Sequence, residues 1–165
     1  MAKRSDAAAG TPATLALARA GIEFRSHAYE HDPRAAAYGL EAAEKLGIDP
    51  VLVFKTLLAS VDGALAVAIV PVAMQLDLKA FATALGAKRA EMADPAVAER
   101  KTGFVVGGIS PIGQKTPLPT VLDESAILCE RVFVSGGRRG LDLELAPDDL
   151  LAVTSGRYAP IARPR

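Results

Sequence analysis

Two apolar, β-branched runs separated by Asp62-Gly63 limit what this chain can fold into more than any other feature. The first spans Asp49 to Val61 (DPVLVFKTLLASV) and the second Leu65 to Val72. Asp-Gly between two such runs favours a tight two-residue turn, so the pair is read as an antiparallel hairpin. A single lysine, Lys55, sits inside the first run, after Val51-Leu52-Val53-Phe54 and before Thr56-Leu57-Leu58-Ala59. Burying an ammonium is costly. Such a lysine either snorkels to a sheet edge or meets an anionic partner, a substrate or a catalytic task. The residue pattern leaves both readings open.

Around this hairpin the chain alternates helix and strand signals. Thr11 is an N-cap with Pro12 at the first helical position and Gly21 as the stop. Ile22 to Tyr29 reads as a strand that ends in the turn chemistry of Glu30-His31-Asp32-Pro33, so Tyr29 stands at a strand end. A helix from Ala36 or Gly39 to Leu46 follows, stopped by Gly47, and Asp49-Pro50 then starts a short turn before the lysine strand. Asp77 and Asp94-Pro95 open two further helices ended by Gly86 and Gly103, with a short strand between them at Lys88 to Met92. Beyond Gly103 lies a glycine- and proline-rich loop, Phe104 to Lys115, able to bring backbone close to a ligand. Thr120 to Leu122, Arg131 to Ser135 and Leu141 to Leu145 are read as strands, the last two joined by Gly136-Gly137-Arg138-Arg139-Gly140, and Pro147 opens a helix through Val153.

Close hairpins argue against a purely parallel βαβ sheet. The expectation is an α+β fold: a single domain over residues 11–165, with a mostly antiparallel, mixed, curved and barrel-like sheet surrounded by helices. Residues 1–10, charged and then small, read as a disordered tail.

Composition excludes several functions. Half of the 165 residues are hydrophobic, yet no apolar run approaches the roughly 18 residues of a membrane span, and the start lacks the apolar core of a secretory signal. A cytoplasmic protein with no membrane partner is expected. One cysteine, Cys129, permits neither an internal disulfide nor a thiolate metal cluster. Nineteen basic residues balance nineteen acidic ones, so any nucleic-acid contact must be local.

Several motifs fail on inspection. Gly108 to Thr116 resembles a phosphate-binding loop, but Gln114 separates Gly113 from Lys115, and Pro117 and Pro119 forbid the helix that must follow. His27 and His31 have the spacing of a zinc pair on a helix, yet they fall on strand and turn; no metal and no cofactor are expected. Cys129 follows Ala126-Ile127-Leu128 and reads as a core thiol. What survives is Lys55, Tyr29, the two glycine-rich turns and Asp142, which together suggest one polar pocket. Glycine turns offer backbone N–H groups to a phosphate, a carboxylate or an oxyanion, and a lysine adds a point charge. Tight turns need glycines in any case, and Asp142 has Arg138 and Arg139 nearby as ion-pair partners.

Tyr29-Glu30-His31-Asp32, Val53 to Leu58, Gln75 to Lys79, Val106 to Pro111 and Val134 to Asp142 occur in the order and spacing of the YbaK/EbsC family, which the chain resembles from about Thr11 to Ala162. That family is similar to the editing domain inserted in bacterial prolyl-tRNA synthetases. The resemblance implies a free-standing hydrolase that deacylates mischarged Cys-tRNA(Pro) in trans and protects translational fidelity. Relatives acting on other mischarged tRNAs such as Ala-tRNA(Pro), or a non-catalytic module binding the tRNA acceptor end, are the alternatives. The implied mechanism uses the substrate's own thiol as nucleophile. Lys55 matches the family's essential lysine, and would hold the 3′-terminal phosphate, the ribose, or charge on the ester. Tyr29, Gly107, Gly108, Ser135 and Asp142 match substrate-binding positions, Asp142 near the substrate's amino group. The implied partners are the mischarged tRNA(Pro) acceptor end and prolyl-tRNA synthetase, which would supply the tRNA recognition that a chain of zero net charge lacks.

Overall fold

A computed structural model describes residues 10–35 and 37–165. The tail expected at residues 1–10 lies outside the described residues, Gly10 excepted. Helix α1 (Pro12–Ala20) begins in a capping box, the Thr11 hydroxyl accepting the Thr14 N–H at 3.2 Å, and stops at Gly21. Strand β1 (Arg25–Ala28) is shorter than the alternation suggests, and helix α2 (Tyr38–Leu46) follows. Asp49 then accepts the Val51 N–H at 3.0 Å and turns Pro50–Leu52 into a 3₁₀ turn, so strand β2 (Phe54–Val61) starts at Phe54 rather than at Val51. Asp62 and Gly63, with φ of 48° and 86°, make the two-residue turn into β3 (Ala64–Pro71), and Val61 pairs with Ala64.

The chain continues through β4 (Gln75–Leu76), α3 (Leu78–Ala84), β5 (Ala90–Met92) and α4 (Pro95–Thr102). After a long irregular loop come β6 (Thr120–Asp123), β7 (Val132–Ser135), β8 (Leu141–Leu145), α5 (Pro147–Thr154), β9 (Arg157–Ala159) and β10 (Ala162–Arg163). No described helix is long and apolar enough to cross a membrane.

The strands form three sheets. The largest has the order β5-β2-β3-β6-β9, antiparallel around β2 and parallel from β3 to β9; β1-β8-β7 and β10-β4 are antiparallel. The mixed, mostly antiparallel α+β architecture is as expected, but the barrel-like closure is not found. β2 pairs with β5 only over Ala59 to Val61, and its other end meets the three-stranded sheet through one parallel bridge, Val53 to Phe133. Between these two contacts the edge of β2 stays open, and sheet closure there would fill the cavity described below.

Period-two alternation decides which faces are buried. Phe54, Leu58, Val67 and Ile69 pack with α1, α5 and the inward leucines Leu143 and Leu145, whereas Ala59, Ala66, Ala68 and Val70 pack on the opposite face against Phe81 of α3. The five-stranded sheet is thus covered on both sides. Its C-terminal appendage is held by a buried carboxylate: one oxygen of Asp123 accepts the N–H groups of Ile161 and Ala162 at 3.0 and 2.9 Å, and the other accepts that of Ser125 at 3.2 Å. This grip sets β10 against β4. Asp123→Ala strips three backbone donors of their acceptor and is expected to lower unfolding free energy by about 2–4 kcal/mol, measured by urea denaturation. A loss under about 0.5 kcal/mol would contradict this role.

Candidate active site

The open edge of β2 forms one wall of a cavity of about 480 Å³. By the alternation that follows from the Asp62-Gly63 turn, Val61, Ala59, Leu57 and Lys55 exchange hydrogen bonds with β3, while Leu58, Thr56 and Phe54 direct theirs to the other edge. The observed bond from Ala93 N–H to the Leu58 carbonyl, 3.1 Å, fits that parity. The Thr56 backbone therefore faces the cavity without a strand partner. Lys55 pairs with Val70 and lines the cavity half-buried, its ammonium making no hydrogen bond or ion pair to any described residue. Burial, and secondarily the Arg165 guanidinium, hold its pKa below the ordinary lysine value.

Asp142 lines another wall. It sits on β8, opposite Ser135 of β7 and His27 of β1, on the face away from Leu143 and Leu145. It is 6% exposed and in no ion pair with a described residue. Arg138 and Arg139 do not neutralise it. Burial pushes its carboxyl up to about 7. Tyr29, directly after β1, is fixed by its N–H bond to the Gly140 carbonyl at 2.9 Å; burial, and then the neighbouring Asp142, raise its phenol to about 12, so it stays a protonated donor. The Ser135 hydroxyl accepts the Gly137 N–H at 3.3 Å and lines the same cavity.

Of the six residues singled out in the sequence, Lys55, Tyr29, Gly107, Ser135 and Asp142 line this one cavity and Gly108 does not. The glycine at 108 has a packing reason: a Cβ there would lie 2.8 Å from the Arg138 backbone, because the two glycine-rich loops interlock. Gly107, with φ of 89°, passes equally close to Arg139 and to the ring of Tyr38. Arg139 donates from Nε and Nη2 to the Val106 carbonyl at 2.9 and 2.7 Å while its guanidinium lies 5.1 Å from the Tyr38 ring centroid. It ties three walls together.

Tyr38 and Arg165 escape sequence reasoning because nothing local marks them, and Arg139, read there as a partner for Asp142, serves Val106 and Tyr38 instead; each acts through contacts distant in the chain. Glu41 does too. Burial works to raise its pKa, but the Asp32 N–H at 2.7 Å and the His31 ring at 2.8 Å hold it below the ordinary value and fix the turn after Tyr29. His27 instead meets Glu144 at 2.8 Å, so the two histidines have separate carboxylate partners. Cys129 is outside the cavity; its thiol is raised by burial and lies 3.8 Å from the Ser125 carbonyl. That environment does not favour a thiolate nucleophile.

Comparison with known proteins decides the family. A model of the aminoacyl-tRNA editing domain matches residues 33–153. The chain belongs to the aminoacyl-tRNA editing domain family. Editing is hydrolysis of an aminoacyl ester, and this chain is an aminoacyl-tRNA deacylase. It is similar to EbsC of Enterococcus faecalis, named as a candidate Cys-tRNA(Pro)/Cys-tRNA(Cys) deacylase, with 43% identity over 121 residues covering 72% of this chain and 73% of that one. A crystal structure titled as a candidate trans-editing enzyme for prolyl-tRNA synthetase superposes with a TM-score of 0.79 at 26% identity, covering 92% and 95% of the two chains. A hypothetical protein shares the fold at TM-score 0.82 and 22% identity, covering 92% and 99%.

The editing domain's unpaired carboxylate carries a stability cost with a definite sign. A carboxyl whose folded pKa lies above its unfolded value stabilises fully at low pH, and that contribution is lost as pH rises through the folded value. Asp142→Asn should therefore match wild type in stability near pH 4 and exceed it increasingly toward pH 7, by about 1.4 kcal/mol per pH unit, levelling off above. Thermal melts from pH 4 to 8 measure this, and a difference constant across the range would contradict it.

Proposed function

We propose that this editing domain deacylates Cys-tRNA(Pro) in trans, with the substrate's thiol as nucleophile. The observation that carries the reading is a cavity holding an unpaired cation and an unpaired carboxylate on separate walls, with no histidine or cysteine among its lining residues. The Ser135 hydroxyl accepts the Gly137 N–H and donates to no described side chain. Such a site positions a substrate rather than attacking it. The ionised Asp142 receives the α-ammonium, and Tyr29 donates to the substrate's oxygen atoms. Gly107 and Ser135 pack against the aminoacyl group; Gly108, outside the cavity lining, acts by holding the loop. The substrate Sγ attacks its own carbonyl carbon, the bond to the ribose 3′ oxygen breaks, and the thiol proton passes to that oxygen. A cyclic thioester departs, which water opens to cysteine. EbsC is named for Cys-tRNA(Pro) and Cys-tRNA(Cys), which supports cysteine as the amino acid removed, and the trans-editing structure is named for prolyl-tRNA synthetase, which supports tRNA(Pro) as its carrier.

Zero net charge gives the chain little means of reading a tRNA body, so prolyl-tRNA synthetase is the proposed partner that presents tRNA(Pro). No cofactor takes part in this scheme.

The substrate itself tests the mechanism. Ser-tRNA(Pro) is nearly isosteric with the cysteinyl ester, but its hydroxyl is a far weaker nucleophile near neutral pH. The expected result is release of cysteine with serine release slower by at least about 100-fold, and little release of alanine or proline. Equal rates for serine and cysteine would sink thiol assistance; preferential alanine release would move the specificity to Ala-tRNA(Pro).

Lys55→Ala is expected to reduce deacylation by on the order of 100-fold or more while leaving the melting temperature at or above wild type. Burial already disfavours the Lys55 ammonium in the folded state, so its removal relieves a cost. A variant with near wild-type turnover would remove Lys55 from the mechanism.

A further inference from the structure

Lys55 is not the only cation on the cavity. Arg165 lines it as well, folding back so that Nη2 donates to the Val72 carbonyl at 3.2 Å. The register explains how the two charges meet. Lys55 pairs with Val70, and the Val72 N–H bonds the Val53 carbonyl at 2.9 Å, so the carbonyl holding Arg165 belongs to the diagonal neighbour of Lys55, about 7–8 Å away by strand geometry. The placement of Arg165 is itself built: Asp123 grips Ile161 and Ala162, and β10 pairs with β4 immediately before it.

We propose that Arg165 is a substrate-binding residue which, together with Lys55, forms a two-cation site for the phosphate of the substrate's terminal nucleotide. Neither side chain is in an ion pair with a described residue, and two adjacent cations disfavour each other until an anion joins them. Burial first, and Arg165 second, lower the pKa of Lys55, which agrees with that crowding. Asp142 does not relieve it, since it forms no ion pair with either cation. The cavity is therefore bipolar, with two cations on one wall and a carboxylate on another. An aminoacyl nucleotide has the matching polarity, a phosphate at one end and an α-ammonium at the other. A guanidinium suits the phosphate end because it presents several donors to the phosphate oxygens, whereas lysine offers a point charge. This assignment rests on the deacylase reading for the identity of the ligand and selects the phosphate, among the roles open to Lys55, as its contact.

Adenosine 5′-monophosphate and adenosine, titrated by calorimetry against the intact protein, isolate the phosphate contribution. Wild type is expected to bind the monophosphate at least about tenfold more tightly than the nucleoside. Arg165→Gln should close most of that gap, Arg165→Lys should retain part of it, and Arg163→Gln, which removes an exposed cation not lining the cavity, should leave it unchanged. Equal affinity of wild type for the two ligands, an undiminished gap in Arg165→Gln, or an equal loss in Arg163→Gln would each overturn the proposal. A gap that depends on Arg165 in a protein that releases no amino acid from any tRNA supports the phosphate site and counts against the deacylase specificity proposed above. Turnover of Cys-tRNA(Pro) with no such gap does the reverse.

Discussion

The incomplete pairing of one strand underlies both the architecture and the chemistry. β2 is fully paired with β3, but on its other edge it is engaged only at its two ends, by the Val53–Phe133 bridge and by β5 at Ala59 to Val61. An open edge costs little only where solvent or a ligand can satisfy the free backbone groups. Here the edge opens into a cavity, so Thr56 keeps access to polar partners without inviting another strand from outside. The same gap separates the three-stranded sheet from the five-stranded one, and so lets Asp142 and Lys55 face one space from different sheets.

Three walls must then hold their spacing without a continuous sheet. Side-chain and close backbone contacts do this instead. Arg139 bridges Val106 and Tyr38, Gly108 accepts the Arg138 backbone against its Cα, and the missing Cβ of Gly39 admits Val72 beneath α2. Glu41 draws in the turn that follows Tyr29, while Lys45 of the same helix reaches the Glu30 carbonyl. The glycines in this region are as much packing devices as ligand contacts. That double duty is why a glycine-rich motif alone cannot say which of its members touches substrate.

Features encoded by neighbouring residues could be read from the sequence. Asp62-Gly63 fixes a turn within two residues, and Thr11-Pro12, Asp77 and Asp94-Pro95 satisfy helix N-termini within three, so the hairpin and these helix starts were visible before any coordinates. The turn at Asp49-Pro50 was legible in the same way, but not that it runs on to Leu52 and delays β2 to Phe54. β4, β9 and β10 were invisible because they are too short to show a period and owe their existence to distant partners. The division into separate sheets is non-local in the same way. For the candidate site, Lys55 stood out as an anomaly within an apolar run and Asp142 by its place after a glycine-rich turn, but that Asp142 has no ion pair with a described residue was not legible, since Arg139 is committed to Val106 and Tyr38 far away in the chain. Arg165 carried no local signal, since its position depends on a carboxylate far back at Asp123.

The cavity also carries charges that the protein leaves uncompensated at a cost in stability. Asp142 could have been silenced by an adjacent arginine, as the sequence offers two, and its pKa would then fall and its burial cost shrink. Arg139 is instead committed to Val106 and Tyr38. A carboxyl left near pKa 7 is poised to ionise when a cation arrives, because the incoming ammonium supplies the stabilisation that the protein withholds. Lys55 is the opposite case, a cation held short of its usual basicity until an anion arrives. A ligand carrying both charges relieves both costs at once, whereas one carrying a single charge leaves the other wall uncompensated. Recognition of this kind discriminates by what is left unpaired, and it requires the two groups to stay on separate walls, since direct contact between Lys55 and Asp142 would neutralise the site and remove its preference for a doubly charged ligand.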